Sequence, residues 1–407
     1  MLFILLNMAH QKNKNNKPNM RSFLILLMLL FFSSSSELSA CDSSHYEDQN
    51  YLSSLVPALV YTPPSCYLND ADALFTEAHN YQSSEPLKAA EIYAQAGALY
   101  HWNIYEWGNA APRSLYQSAI LSSFRAGFYM QDNDRNGAQS YFSYCYNTMS
   151  AYLRLFETEI SVPDIHVCIM IFNKIASFFE KSEHSSDKQN AADFYIKAGN
   201  LGMIAFNKLQ VTDKATPLDY EKPAIAYYNA AYTLKDINPA LSSPFYQYSA
   251  KLHLSRTQYK GNHATENDLR MTSRALYCLV FWNDSLSADQ KFSIYRIVLN
   301  LELRRFELLG PAAIAQDYDI IAKAYYNLGT LCSNAFARIL QLQYYQKAAE
   351  FESIYLIQKN FHVPDQELLD AHLIYQEAAE TMQLYDQAQA QIFYNQAQLI
   401  QSLLNQR

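Results

Sequence analysis

An alanine followed four residues later by a tyrosine, and three residues after that by another alanine, recurs along this chain. Copies include Ala89, Tyr93 and Ala96; Ala191, Tyr195 and Ala198; and Ala390, Tyr394 and Ala397. Steps of four and three put all three side chains on one face of an α-helix. Small residues there let a neighbouring helix come close, and the tyrosine fills the gap beside them. Pro223-Ala-Ile-Ala-Tyr-Tyr-Asn-Ala230 is a near copy, and Gly137, Tyr141 and Tyr144 form a looser one. A helix-surface pattern that returns at long intervals predicts a stack of packed helices, each too small to bury its apolar side alone. Composition agrees: nine glycines in 407 residues, beside 33 tyrosines, leave little material for tight hairpins or phosphate-cradling loops. An all-β protein, a dinucleotide-binding domain and a P-loop nucleotidase are thereby disfavoured. From Asn69 onward the apolar spacing predicts roughly fourteen helices of about 14–25 residues and no strand.

Prolines and capping residues mark where these helices begin. Ser84-Glu-Pro86 opens one and Pro112 another, while Ser161-Val-Pro-Asp164 and His362-Val-Pro-Asp365 open two more. Each places proline where a helix has a spare amide anyway. Ser287-Ala-Asp-Gln290 has the form of a capping box, in which serine and glutamine satisfy each other's free amides.

Two registers resemble the tetratricopeptide repeat, a 34-residue pair of antiparallel helices. That family carries small residues at repeat positions 8, 20 and 27, large ones at 4 and 7, and an aromatic at 24. Counting Ala378 as position 8 lands on Ala390, Tyr394 and Ala397. Counting from Gly329 lands on Gln341, Tyr345 and Ala348, with Tyr325 and Leu328 at the two large positions. Val162-Pro-Asp164 precedes Tyr195 by 33 residues and Val363-Pro-Asp365 precedes Tyr394 by 31, so two long segments echo each other. Gln341 departs from the pattern, the proline of position 32 is missing, and copies do not follow at the family's interval. The resemblance implies an all-α, TPR-like solenoid of antiparallel helical hairpins with irregular repeats, a superhelix over residues 69–404 that takes a protein or peptide in its groove. A helical bundle with Ala/Tyr seams is the alternative.

The first forty residues read as an address. Lys12, Lys14, Lys17 and Arg21 precede an apolar run from Phe23 to Phe32, the length of a signal-peptide core and about half that of a membrane span. Leu38-Ser39-Ala40-Cys41 resembles the lipobox of bacterial lipoproteins. The resemblance implies cleavage of residues 1–40, acylation of Cys41 with palmitate-type chains, and anchoring to a lipid bilayer at the cell envelope, facing the periplasm. Two or more acyl chains give stable attachment. Asp42 resembles an inner-membrane retention residue, with the outer membrane left open. An ordinary cleaved signal and an uncleaved anchor are the other readings, and Met20 is an alternative start to Met1. Residues 41–68, with Pro57 and Pro63-Pro64, read as a tether. The net charge is −8; without residues 1–40, which hold four basic side chains and one acidic, 27 basic face 38 acidic for a net −11. That excess disfavours nucleic acid and other polyanions as partners.

No catalytic motif stands out: GxGxxG, GxxxxGK, GxSxG and HExxH do not occur, and no two of the ten histidines are four apart. The expectation is a protein that is not an enzyme, with no catalytic residue, no metal and no cofactor. Asp132-Asn-Asp-Arg-Asn-Gly137 has the first half of a calcium loop, but Ser143 stands where a bidentate glutamate is needed and Gln139 where an apolar residue belongs. An ordinary polar turn is the simpler reading. Cys66, Cys145, Cys168, Cys278 and Cys332 are scattered, without a CxxC, and read as free thiols. Tyr93, Tyr195, Tyr345 and Tyr394 take seam positions, whereas Tyr227-Tyr228 and Tyr344-Tyr345 are each expected to leave one ring free. Trp102 and Trp107 read as packing residues. The functional expectation is a lipid-anchored scaffold that binds a protein or peptide partner. A glycan-binding lipoprotein with aromatic platforms, similar to the SusD-like uptake proteins, and a helical-toroid hydrolase using paired carboxylates are the alternatives.

Overall fold

A computed structural model describes residues 64–211, 214–332 and 337–407. Cys41, the leader and most of the tether lie outside the described residues. Fourteen α-helices follow one another: α1 (Pro64–Tyr81), α2 (Pro86–Trp107), α3 (Arg113–Met130), α4 (Arg135–Leu155), α5 (Val162–Glu180), α6 (Ser185–Val211), α7 (Pro217–Leu234), α8 (Pro239–Lys260), α9 (Glu266–Trp282), α10 (Ala288–Leu309), α11 (Ala315–Leu331), α12 (Arg338–Gln358), α13 (Asp365–Met382) and α14 (Gln387–Asn405). No strand occurs among the described residues. The starts fall where proline and capping residues place them. Ser161 and Asp164 close a capping box at α5, and Ser287 and Gln290 close one at α10.

Consecutive helices pack against each other, α4 and α5 chiefly through long aromatic side chains, and side chains also join helices two apart. The Tyr228 hydroxyl of α7 lies 3.7 Å from the Cys278 Sγ of α9. Lys323 of α11 reaches Asp370 of α13, and Phe292 of α10 meets Tyr344 of α12. The odd-numbered helices therefore form one layer and the even-numbered ones the other, the arrangement of a helical repeat solenoid.

The repeat is longer than the tetratricopeptide unit. Seven aromatics occupy one equivalent seam position on the even helices: Tyr93, Phe142, Tyr195, Tyr246, Tyr295, Tyr345 and Tyr394. They stand about 50 residues apart, against 34 in the family. All but Tyr394, which is half-buried, are buried. The copy on α4 is Ala138, Phe142 and Cys145, all buried, one residue on from the Gly137-Tyr141-Tyr144 register. On α8 the same face is Ser242, Tyr246 and Ser249. The small position on the facing odd helix is a glycine where the ring comes closest: a Cβ on Gly329 would lie 2.6 Å from the Tyr345 ring, and one on Gly127 would lie 2.8 Å from Phe142.

The even-to-odd turn repeats as well. Gly108, Gly261 and Gly310 each end an even helix with φ of +52°, +52° and +48° and lead into a short 3-10 turn. Asn360, with φ of +48°, takes this place after α12; glycine and asparagine are the residues that tolerate it.

A carboxylate in the first turn of the next odd helix then ties the units together. It is held by a residue twelve positions earlier: Arg256 to Asp268 at 3.1 Å, Arg305 to Asp317 at 2.6 Å, and the Tyr355 hydroxyl donating to Glu367. At α5 the same carboxylate, Asp164, pairs with Arg113 and accepts from Gln117 at 2.9 Å.

The core changes character along the stack. From α2 to α5 it is apolar, with Tyr100, Phe142, Met149, Tyr152 and Ile165 inaccessible to water. Between α4 and α5 the backbones stay further apart than at any other consecutive pair. Phe142–Phe178 and Tyr146–Phe172 ring contacts fill the space. By length and mean hydropathy α5 would suit a membrane span, but Ile165, Ile171 and Ile175 are wholly buried, as in a core helix. Through α8 to α11 the interior adds a polar cluster to its apolar side chains: His253, Arg256, Asp268, Thr272, Glu302 and Arg305 are all buried. A second apolar core spans α12 to α14, around Tyr355, Leu368, Ile374 and Tyr375.

Candidate functional site

On the odd layer, α7 and α9 bring exposed rings and cations together. Ala224, Ala226, Ala230 and Ala231 are fully buried, so α7 sits deep between its neighbours and its tyrosines fill the seams. Both rings of the Tyr227-Tyr228 pair are buried, which corrects the expectation of one free ring. Tyr227 lies over Gly199, where a Cβ would come within 2.6 Å of it, and donates to Asn200 Oδ1 at 2.8 Å. Tyr228 packs edge-on to Tyr246, and its hydroxyl lies 3.7 Å from the Cys278 Sγ.

One turn later Tyr232 stacks on Tyr228, with centroids 6.3 Å apart and planes 16° off parallel, and is 44% exposed. The Lys235 ammonium sits 4.1 Å over the Tyr232 ring and 6.0 Å from Trp282. The Arg274 guanidinium lies 5.3 Å from the Tyr228 ring. Phe281, 60% exposed, meets Trp282 at 5.0 Å, edge to face. An aromatic cluster with two cations on it thus reaches the surface.

Cys278 lies beneath. Burial pushes its thiol pKa up, opposed by the hydrogen bond to Tyr228 and by the charges of Arg274 and Lys235. Burial likewise pushes the Tyr228 and Tyr246 hydroxyls up. These groups are protonated at neutral pH, so the cluster offers cations, ring faces and hydrogen-bond donors. Lys235 has Asp236 at 3.8 Å, a side chain 70% exposed. Arg274 has no carboxylate partner among the described residues.

Sequence reasoning missed Lys235, Arg274, Phe281 and Trp282. Two stripes were present to be read: Tyr228 and Tyr232 on α7 with Lys235 just past its end, and Arg274, Cys278 and Trp282 on α9. Only the fold sets them side by side.

The residues singled out by pattern are otherwise placed in seams. Ala89, Tyr93, Ala96, Ala191, Tyr195, Ala198, Gly329, Tyr345, Ala348, Ala378, Ala390 and Ala397 are buried. The Tyr93 hydroxyl accepts from Arg125 at 2.8 Å, and the Tyr195 hydroxyl donates to Glu180 at 2.8 Å. Asp134 caps α4, accepting from the Gly137 amide at 3.0 Å. No cluster of three or more metal-ligating side chains occurs among the described residues. Cys145, Cys168 and Cys332 are buried free thiols, and burial raises Cys168 to about 12. Trp107 is exposed. A buried acidic group lies between α11, α12 and α13: burial first, then the charge of Asp319, pushes Glu352 up to about 8, with Lys323 opposing.

No protein-family model matches the chain, and no curated protein sequence is similar to it. Among solved structures, Nro1, described as a hypoxic regulator of sterol synthesis and a nuclear import adaptor, aligns over 76% of this chain and 94% of its own at 9% identity, with a TM-score of 0.32. The de novo designed helical repeat protein DHR64 aligns over 60% of this chain and 98% of its own at 14% identity, with a TM-score of 0.17. At these TM-scores the likeness carries no functional reading, and the repeat architecture stands on the packing described above.

Proposed function

We propose that the chain is a non-catalytic docking scaffold that binds a protein or peptide through the odd-helix face of its solenoid. The observation that carries this reading is the surface of α7 and α9, where the exposed rings of Tyr232 and Phe281 stand beside the cations of Lys235 and Arg274. Val167 and Met170 on α5, and Leu369 and Leu373 on α13, extend exposed apolar side chains along the same layer. Such a layer suits an extended segment better than a small molecule. Asp268, Glu302 and Asp317 are all held by arginine or lysine within the stack, which favours a structural role for the carboxylates over a hydrolytic one.

The lipobox resemblance at Cys41 supports a second part of the reading: the scaffold is anchored by acylation at a bacterial cell envelope and faces the periplasm. Pull-down from an envelope extract, comparing the intact protein with Tyr232→Ala and Phe281→Ala, tests the docking. Recovery of a protein that both variants lose is the expected result. Recovery of none, alongside binding of oligosaccharides, would transfer the exposed rings to glycan recognition. Detergent-phase partitioning unchanged in Cys41→Ala would overturn the anchor and leave the docking untouched.

A further inference from the structure

We infer that the α7–α9 patch takes an acidic peptide segment, one that carries a carboxylate side chain within a residue or two of an apolar one. This inference rests on the docking reading and names its partner.

The chain has a net charge of −8, yet this patch brings two cations to the surface. Lys235 and Arg274 sit on the neighbouring stacked rings of Tyr232 and Tyr228. Two like charges held on a low-polarity aromatic floor repel each other more than they would in water, and a carboxylate between them relieves that repulsion.

Three carboxylates of the surrounding helices are already engaged. Glu180 accepts from Tyr195 at 2.8 Å, Glu221 pairs with Arg256 at 2.9 Å, and Glu266 pairs with Arg305 at 3.1 Å. Among the described residues, the ion-pair partner of Lys235 is Asp236, at 3.8 Å and with its side chain 70% exposed. An exposed pair of that kind holds weakly, so a better-placed carboxylate displaces it.

The apolar requirement comes from Tyr232 and Phe281, exposed at 44% and 60%. Covering rings of this size supplies most of the contact energy in a small interface, and the flanking cations fix the register. A long polyanion fits less well, because two cations cannot offset its repulsion from an acidic chain.

The test uses the full-length protein. A display library of random 12-mers is selected on the wild type and on Lys347→Glu, a control on α12 in the even layer. A labelled peptide from the selected set is then titrated by fluorescence anisotropy. Selected peptides are expected to be enriched in Asp or Glu beside apolar residues. Affinity should fall at least about tenfold in Arg274→Glu, and should weaken when salt rises from about 50 to about 300 mM. Tyr232→Ala should also weaken it, and Lys347→Glu should not. Unchanged helical circular dichroism and melting temperature confirm that Arg274→Glu folds.

Selection of peptides without acidic bias, or full affinity in Arg274→Glu, overturns the inference and leaves the docking reading standing. Stronger binding of labelled poly-uridylate than of any peptide, lost in Arg274→Glu, overturns it in favour of a nucleic acid. Failure to select any peptide on either protein counts against the docking reading itself.

Discussion

Arg305 offers the sharpest test of how the units are joined. Its guanidinium is 4% exposed and holds three carboxylates from three helices: Glu302 at 2.7 Å on its own α10, Glu266 at 3.1 Å on α9, and Asp317 at 2.6 Å in the first turn of α11. Burial alone would lower the pKa of this guanidinium, but its carboxylate partners override that and raise it. Arg305→Ala leaves Glu302 and Asp317 buried without a cation, at 3% and 6% exposure. Removing one partner of a buried ion pair costs about 3–5 kcal/mol. In a stack where each unit touches only its neighbours, that loss is local. Hydrogen exchange followed by mass spectrometry at increasing urea should therefore show α9 to α12 losing protection well before α2 to α6. A Glu302→Ala, Arg305→Ala double variant should lose less than the sum of the single losses, and acidification should restore part of the stability by neutralising the stranded carboxylates. A loss below about 1 kcal/mol, the range of exposed pairs, or uniform loss of protection along the chain, would refute the reasoning.

Three further predictions concern single positions. Glu352, 1% exposed, has its carboxyl raised from the ordinary 4.5 to about 8, so the folded state binds a proton that the unfolded state has released. Stability should fall as pH rises between those values, and denaturant midpoints for Glu352→Gln should lack that slope. An unchanged slope would place the effect elsewhere. Gly329→Ala pushes a methyl into the Tyr345 ring, at 2.6 Å; overpacking costs about 1–3 kcal/mol and helix propensity returns about 1 kcal/mol. Urea unfolding should show a net loss, and a gain would mean that the ring yields. At the even-to-odd turn, Gly310→Ala with φ at +48° should cost about 1–2 kcal/mol. Asn360→Gly, at the equivalent place, should cost less by the same assay.

Helix content, helix starts and the stacked architecture were legible because each is a local pattern. Proline and capping residues fix where a helix begins, and Ala89, Tyr93 and Ala96 or Ala191, Tyr195 and Ala198 fix which face is buried. The repeat length was not legible. Phe142 with Cys145, Ser242 with Ser249, and Lys291 beside Tyr295 fill the same seam with different chemistry, so a search for alanines at a 34-residue interval passes over them. Three of the nine glycines mark one recurrent turn, a signal visible only once the unit length is known. The patch escaped for another reason. Arg274 and Phe281 are ordinary exposed residues on α9 until α7 lies alongside and brings Tyr232 and Lys235 to them. The expectation for Tyr227-Tyr228 failed because α7 is flanked by helices on both sides, which leaves no room for a free ring at either position.

The central claim is that the chain works by presenting its odd-helix layer to a partner. Site-specific photo-cross-linking in cells tests it most directly, with a photoreactive phenylalanine placed at Phe281 on α9 and, separately, at Lys347 on α12. The account predicts a discrete adduct with a second protein from position 281, absent from position 347 and lost when Arg274→Glu is added. Adducts of equal yield from both layers, or none from position 281 while position 347 reacts, would contradict it.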